Sequence, residues 1–166
     1  MSLSSTIDVN VSAVLDVAAD IGTAKHSIAE SIGIALKDGA GLNQANQMFT
    51  DQRTVALSTT DTLDLSGTLV NNLGQTVALT KVKALIISAA VGNGSTLTVG
   101  GNVNAFADWL GAAAHTVKVR PGGVLCLVAP DATAYAVTGG TGDLLDITND
   151  DGAAAATYDI VVIGVE

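Results

Sequence analysis

Aromatic residues, proline and cysteine are all scarce in this chain of 166 residues. Only 3% of the residues are aromatic, two are proline and one is a cysteine, Cys126. So few aromatic side chains leave few anchors for a deep ligand pocket. A single cysteine cannot form a disulfide within the chain, so nothing in the composition points to an oxidising compartment.

Basic residues are also few, since seven Lys and Arg stand against sixteen Asp and Glu, for a net charge of −9. The close basic pairs are Lys81 with Lys83 and Lys118 with Arg120. Period-2 spacing places each pair on one face of a strand. Pairs this small are typical of a solvated strand face, because nucleic-acid interfaces carry larger basic clusters. We predict no direct nucleic-acid binding.

Long apolar runs are missing as well. The longest, A-L-I-I-S-A-A-V and D-I-V-V-I-G-V, are far shorter than a membrane span. The first ten residues, M-S-L-S-S-T-I-D-V-N, lack the basic region and the continuous apolar core of a signal peptide. We therefore expect a protein that is made in a cytoplasm and has no membrane partner.

The chain does contain many small branched apolar residues, divided by turn residues. Hydrophobic residues make up 48% and charged residues 14%, with 18 glycines. This balance favours a folded domain of short strands joined by tight turns. Strand patterns follow one another at short, even spacing from Arg53 onward, without a strong helical pattern. We predict an all-β fold, a β-sandwich or barrel of jelly-roll or Greek-key type, formed by residues 53–166.

The N-terminal 52 residues follow a different pattern. Val9 and Val11 alternate with polar residues, which predicts a strand within residues 8–19. Residues 27–37 fit either a helix or a strand, and Gly33 in the middle favours the strand. Residues 39–52 are rich in amides and lack periodicity, which indicates a connecting loop with at most one helical turn. We predict that residues 1–52 form an N-terminal arm and a connecting loop, within a single compact domain overall.

Two features near residues 119–145 resemble parts of an active site. Gly139, Gly140 and Gly142 suggest a phosphate loop, but such a loop opens a helix, and here a strand pattern that begins at Asp143 follows. We favour a β-turn. Cys126 lies in the apolar run V-L-C-L-V, with no His, basic residue or helix start nearby to stabilise a thiolate. We predict a buried cysteine in the core.

The remaining candidates for chemistry are equally weak. His26 and His115 lack metal-ligand spacing, and no G-x-S-x-G motif is present. The turn N-D-D-G at residues 149–152 lacks the closing Glu of a calcium loop, so a hairpin turn is favoured, with a weak ion site between symmetry-related copies left open. We predict no catalytic residue, no metal site and no cofactor, and therefore a protein that is not an enzyme.

The order of several turn-and-strand stretches carries more information than any one of them. These stretches are residues 41–56, 61–69, 81–87, 97–101, 119–123, 134–149 and 158–164. In that order they resemble a family of small structural proteins from the heads of tailed bacteriophages, the capsid decoration or cement proteins. The match covers most of the chain from about residue 40 onward, and residues 1–38 match less distinctly.

The resemblance implies a β-sandwich module in the virion, on the outer face of the capsid, often as a homotrimer. Its partner would be the major capsid protein, whose neighbouring subunits it would clamp. Nothing in the resemblance implies a catalytic or ligand-binding residue. The acidic composition is compatible, because an acidic module is poorly placed inside the head against DNA.

We expect the contact with the capsid or with neighbouring subunits in the N-terminal arm and the amide-rich loop. An arm with a strand pattern can add to a neighbour's sheet, and the amides of the loop have no evident partner within the chain. The expected contact residues are Ile7, Val9, Val11, Asn43, Gln44, Asn46, Gln47 and Phe49.

An alternative is a tail or fibre component that recognises a carbohydrate or another receptor on the host surface. Exposed Phe106, Trp109 or Tyr135 would stack on sugars in such a module. Core packing is the favoured interpretation for each of the three.

Overall fold

A computed structural model describes residues 2–150 and 153–166, and within these ranges every regular element is a β-strand. No helix that is long and apolar enough to cross a membrane occurs in this part of the chain. The strands are β1 Ser5–Ala18, β2 Thr23–Asp38, β3 Gln44–Ala45, β4 Gln47–Val55, β5 Thr59–Asp64, β6 Leu69–Val70, β7 Thr76–Val77, β8 Lys81–Ala89, β9 Leu97–Gly100, β10 Thr116–Val119, β11 Val124–Val128, β12 Tyr135–Ala136, β13 Leu144–Asn149 and β14 Ala156–Val165.

Two sheets form a sandwich-like body, which confirms the predicted all-β fold. The smaller sheet has the strand order β10-β9-β13-β5, and the larger has β11-β8-β14-β4, with β12 also paired to β8. The sheets do not close into a barrel. Alternate residues of each strand enter a shared core, as a pleated strand with one buried face requires. The main core residues are Phe49, Leu63, Leu65, Leu85, Ile87, Leu97, Val99, Leu145, Ile147, Tyr158, Ile160 and Val162.

Strand β14 lies in the middle of the larger sheet, between β4 and β8. It pairs antiparallel with both, and its register with β8 shifts between Ile163 and Gly164. Gly164 is required there, because a Cβ atom at this position would collide with the backbone oxygen of Lys81. The bulge allows the two long strands to stay paired while the sheet bends.

Residues 101–115 contain no strand and form an irregular insertion between β9 and β10. Phe106 is only 1% exposed and belongs to the core. The Trp109 indole packs against that core and donates a hydrogen bond of 3.0 Å from Nε1 to the carbonyl of Phe106. The insertion therefore closes one side of the sandwich with its two aromatic residues.

The prediction of a loop through residue 52 is wrong. Strand β4 begins at Gln47 and pairs with β14 over its whole length, so a boundary at residue 52 would fall inside it. Phe49 and Val55 face the core, at 4% and 2% exposure. The sequence hides the alternation of buried and exposed residues in β4, because the polar residues Asp51 and Arg53 occupy the alternate positions between Phe49 and Val55.

The N-terminal residues form one long antiparallel hairpin, β1 with β2, so the strand interpretation of residues 27–37 is confirmed. At its base, Ile7 and Leu36 are buried with Ala45, Ala84 and Ile163 in a second apolar cluster. Every residue from 8 to 33 is exposed. The hairpin is thus anchored at its base and projects from the body along most of its length.

Candidate interaction surface

The two faces of the N-terminal hairpin differ in chemistry. Directly opposed residues of an antiparallel pair share a face, so the register assigns every side chain. The first we call the apolar face, and its pairs are Ile7–Ile34, Val9–Ile32, Val11–Glu30, Ala13–Ile28, Leu15–His26 and Val17–Ala24. The other we call the polar face, and its pairs are Thr6–Ala35, Asp8–Gly33, Asn10–Ser31, Ser12–Ala29, Val14–Ser27, Asp16–Lys25 and Ala18–Thr23.

Large side chains on the apolar face are open to solvent. Val11 is 50% exposed, Leu15 65% and Ile32 61%. A two-stranded hairpin is at best marginally stable in water unless another layer packs on it. On the polar face, by contrast, Lys25 and Asp16 form a solvated ion pair with atoms 3.8 Å apart. The apolar face of the hairpin therefore has the composition of a sheet face that is normally buried.

The apolar face continues onto the body of the protein. At the base of the hairpin, Ile7 and Leu36 pack on Ala84 and Ile163, which lie on the outer side of the larger sheet. The next row of that outer side places Cys126 beside Ile86 and Val161, and Val124 follows at 62% exposure. Beyond Cys126, Ile86 and Val161 the outer side becomes polar, because Ser88 and Asp159 lie beside Val124, so the apolar surface consists of the hairpin face and this one row.

Cys126 corrects our prediction of a buried core cysteine, because its side chain is exposed. Strand β11 is at the edge of its sheet, and Leu125 and Leu127 take the side that packs against the core. The run V-L-C-L-V is apolar on both sides, so its composition alone does not tell which side is covered.

Among the predicted contact residues, the structure separates exposed from buried ones. Val9 and Val11 lie on the apolar face of the hairpin at 42% and 50% exposure. Ile7 is buried at the base of the hairpin, and Phe49 is buried in the core of the sandwich. Only the first two therefore present a free apolar surface.

The expectation that the amides lack internal partners is wrong. Asn46 Oδ1 accepts a hydrogen bond of 3.0 Å from the backbone N–H of Glu166, and Gln47 Nε2 donates one of 2.9 Å to the Glu166 carboxylate. Gln44 Oε1 accepts from the N–H of Gly41 at 2.8 Å. Asn43 donates its own backbone N–H to the carbonyl of Pro130 at 2.7 Å. These contacts fix the turn that joins the hairpin to β4.

A partly buried polar cluster that the sequence did not reveal joins the two sheets. Arg53 on β4 forms two hydrogen bonds to Asp61 on β5, of 2.5 and 2.8 Å, and the Tyr158 hydroxyl donates to the same carboxylate at 2.8 Å. Arg53 lowers the pKa of Asp61, and Asp61 raises that of Arg53. Burial, followed by the hydrogen bond to Asp61, raises the pKa of Tyr158. Each of the three groups therefore keeps its ordinary charge state, and the cluster links the two sheets through hydrogen bonds.

Lys83 departs from the predicted solvated strand face, because it is 0% exposed. Its ammonium donates to the carbonyl oxygens of Gly41, at 3.1 Å, and of Asp131. The bulge explains this, since β14 pairs with Ala84 and then with Val82 and omits Lys83, which breaks the period of 2. Burial lowers the pKa of Lys83. The other basic pair, Lys118 and Arg120, is exposed, as predicted.

The glycine cluster is a turn, as predicted. The segment bends between Thr138 and Gly142, and Asp143 accepts hydrogen bonds from the N–H of Gly140, at 2.6 Å, and from the Ser66 hydroxyl, at 2.7 Å. The Gly140 N–H, with the Ser66 hydroxyl next, lowers the pKa of Asp143. A protein carboxylate thus already occupies the donors that a phosphate would require.

The two histidines belong to separate parts of the fold. His26 is exposed on the hairpin, and His115 Nδ1 lies 2.9 Å from the carbonyl oxygen of Leu110. Residues 2–150 and 153–166 hold no group of three or more His, Cys, Asp or Glu that could bind a metal ion. Of the N-D-D-G turn, Asp151 and Gly152 lie outside the described residues.

The aromatic residues of the carbohydrate-binding alternative pack mainly inward. Phe106 is in the core, and Trp109 and Tyr135 are half-buried against it. No aromatic platform for a sugar is visible in the described part of the chain, and this alternative stays a prediction.

The surface that distinguishes this molecule is therefore the apolar face of the projecting hairpin, continued on the outer sheet. Its side chains are aliphatic, with one acid and one imidazole, which suits binding to another surface. Comparison of the chain with protein-family models, with characterised proteins and with solved structures gave no match.

Proposed function

We propose that this chain is a structural protein of a phage virion, a capsid decoration protein that binds the outer face of the head. The single observation that supports this most directly is the projecting hairpin, whose apolar face is uncovered over residues 9–32. A protein whose most prominent feature is an uncovered sheet face acts by burying area against another protein. The order of turn-and-strand stretches that resembles decoration proteins supplies the class of partner.

The task of such a protein requires buried area and stiffness. DNA within a filled head exerts pressure, and a protein that bridges neighbouring subunits of the major capsid protein opposes their separation. The polar groups with shifted pKa values described above, such as Asp61 and Asp143, are engaged in internal hydrogen bonds. The net charge of −9 suits the outside of the head, away from DNA.

The finer architecture in this proposal is a jelly-roll or Greek-key sandwich with the hairpin as its N-terminal arm. The oligomer is a homotrimer, as the resemblance implies. The two sheets, with β4 and β14 far apart in sequence but adjacent in space, are compatible with this topology.

The contact with the capsid in this proposal includes the edge of the larger sheet. Strand β4 is the last strand in that sheet, so one side of it can accept an extended segment of a capsid subunit. Beside it lies a mainly apolar groove, whose lining includes Leu3, Met48 and Leu73, the last 75% exposed. An extended peptide with alternate apolar side chains would fit this edge and groove.

The test uses a variant in which residues 9–32 are replaced by a short glycine-containing turn. This keeps Ile7 and Leu36, which anchor the hairpin, so the body is expected to fold. Wild-type protein should bind purified expanded heads that lack it and appear as added density outside the shell in cryo-electron microscopy. The shortened variant should bind much more weakly, because the arm is lost.

Two results would count against the proposal. If wild-type protein does not bind expanded heads, the decoration function is wrong. If the shortened variant binds as well as wild type, the hairpin has no part in decoration. Circular dichroism of the variant serves as the control for folding.

A further inference from the structure

We infer that the apolar face of the N-terminal hairpin binds the same face of a second copy of this chain, with the two β2 strands antiparallel. With this face covered by a second copy, the contact with the capsid falls to the β4 edge of the larger sheet, and the hairpin serves decoration by joining copies. In a protein that is itself an oligomer, it would join two oligomers through their projecting hairpins. The observations that carry it are the exposure, the area and the arrangement of charge on this face.

The exposed apolar side chains require a cover. Along the projecting part, Val11, Leu15, Val17 and Ile32 are each 50–65% exposed and point the same way. At the base of the hairpin this face is already covered, since Ile7 is only 6% exposed. Because solvent exposure of such a row is unfavourable, the free part of the face is expected to be covered in the working state, as its base is in the single chain.

The area of the face sets the strength of the contact. Ten residue pairs, from Val9–Ile32 to Ala18–Thr23, extend beyond the base. At about 3.4 Å per residue and about 4.8 Å per strand, they offer a face of about 330 Å². Two copies together bury about 650 Å² on these spacings, which is the size of a weak, transient interface.

The charges select a second copy as the occupant. Glu30 and His26 are the only ionisable residues on the apolar face, and they flank Ile28 on β2. A two-fold axis across Ile28 places each Glu30 next to the partner's His26, twice in one interface. Packing with the strands in the same direction would instead set Glu30 against Glu30 within an apolar layer, which is unfavourable. The face is therefore complementary to itself in one orientation.

The charged groups around this pair stay in solvent. Asp16 and Lys25 form their ion pair on the opposite face, and Asp8 also lies there. Asp20 is in the turn at the tip of the hairpin. None of them would be buried when two apolar faces meet, so the contact leaves the polar face hydrated.

The first experiment measures molar mass by light scattering in the absence of any capsid. As the concentration is raised to about 1 mM, wild type should approach twice the mass of the Ile28→Asp variant, since an interface of this size is weak. The matched control is Ser12→Asp, which places the same charge on the polar face and should keep the wild-type mass. Both positions are exposed in the single chain, so both variants should give the circular dichroism of wild type.

The second experiment tests the orientation by exchanging charges. His26→Glu should weaken association at least about tenfold, because it places two carboxylates together, and Glu30→Lys should weaken it because it removes the acceptor for the imidazole N–H of His26. An equal mixture of the two variants should regain it, because the new lysine of one copy then faces the new glutamate of the other. Equal masses for wild type and Ile28→Asp, or a mixture that stays dissociated, would overturn the inference. Capsid binding plays no part in either result, so failure here is distinct from failure of the decoration function.

Discussion

Replacing Asn149 by alanine should remove one of the main internal ties of the sandwich. This side chain is 0% exposed, at the end of β13. Its amide donates to the carbonyl oxygen of Ala154 at 2.8 Å and to those of Val55 and Ala56, both at 3.3 Å, while its oxygen accepts from the Ser95 hydroxyl at 2.8 Å. One residue thus connects β13 to three other segments.

The expected loss of stability follows from the groups left without this partner. Alanine would leave the buried Ser95 hydroxyl without its 2.8 Å hydrogen bond to Asn149, while the carbonyl of Ala154, an exposed residue, can bond to water instead. An unsatisfied buried group costs about 1–3 kcal/mol, so we expect Asn149→Ala to cost about 2 kcal/mol. Out of a total of about 5–15 kcal/mol, that is a large fraction.

Aspartate at the same position separates shape from hydrogen bonding. Asn149→Asp keeps the volume but loses both amide donors and, at neutral pH, places a carboxylate against three carbonyl oxygens. It should be less stable than the alanine variant at neutral pH. The difference should shrink as the pH falls and the carboxyl group gains a proton, which restores one donor.

Urea unfolding followed by circular dichroism measures these differences, with an unchanged slope as the sign that the unfolded states are comparable. The control is Asn10→Ala, because Asn10 is exposed on the polar face of the hairpin and its loss should stay within about 0.5 kcal/mol. If Asn149→Ala proves as stable as Asn10→Ala, the reasoning from buried hydrogen bonds is refuted.

Two more predictions concern the polar cluster and the bulge. Because Arg53 holds the pKa of Asp61 below its ordinary value, the folded state binds fewer protons, and the resulting stability is present above about pH 4 and lost as the pH falls through the folded pKa. Urea unfolding over a pH series should therefore show Asp61→Asn less stable than wild type at neutral pH, with the gap closing in acid; a gap that is constant with pH would contradict this. Gly164→Ala should destabilise strongly or abolish folding, because the Lys81 backbone oxygen occupies the space of a Cβ atom, whereas Gly67→Ala has open space and should be nearly neutral. Soluble yield and thermal melting would decide it, and equal melting temperatures for the two variants would count against the clash.

The strands of the body were predictable because one buried face imposes a period of 2. In β13, the residues Leu145 and Ile147 alternate with polar ones, and the turn dipeptides mark the ends of strands. β4 was missed because the alternate positions between Phe49 and Val55 carry the charged Asp51 and Arg53, and Arg53 is held by Asp61 on β5. No local pattern reveals a polar residue whose partner lies on another strand.

The candidate surface was only partly predictable. Val9 and Val11 were recognised as strand residues of an arm, but the face of β2 depends on its register with β1, which the sequence does not state. Cys126 and Lys83 were assigned to the wrong environments for related reasons. Cys126 lies on the edge strand β11, and Lys83 lies at the register shift between β8 and β14. In each case the burial of the side chain depends on which strand lies next to it, and the strand order cannot be derived from the local sequence.

The central position of β14 has a consequence for the order of folding. Its partners β4 and β8 cannot form the larger sheet until residues 156–165 have left the ribosome, because β14 lies between them. The hairpin, whose strands are joined by the four residues 19–22, is synthesised far earlier, but its base packs on Ile163 of β14 and gains this support only when the chain is nearly complete. During synthesis, the growing chain therefore exposes the hairpin and unpaired hydrophobic strands at the same time, which favours contacts between incomplete chains.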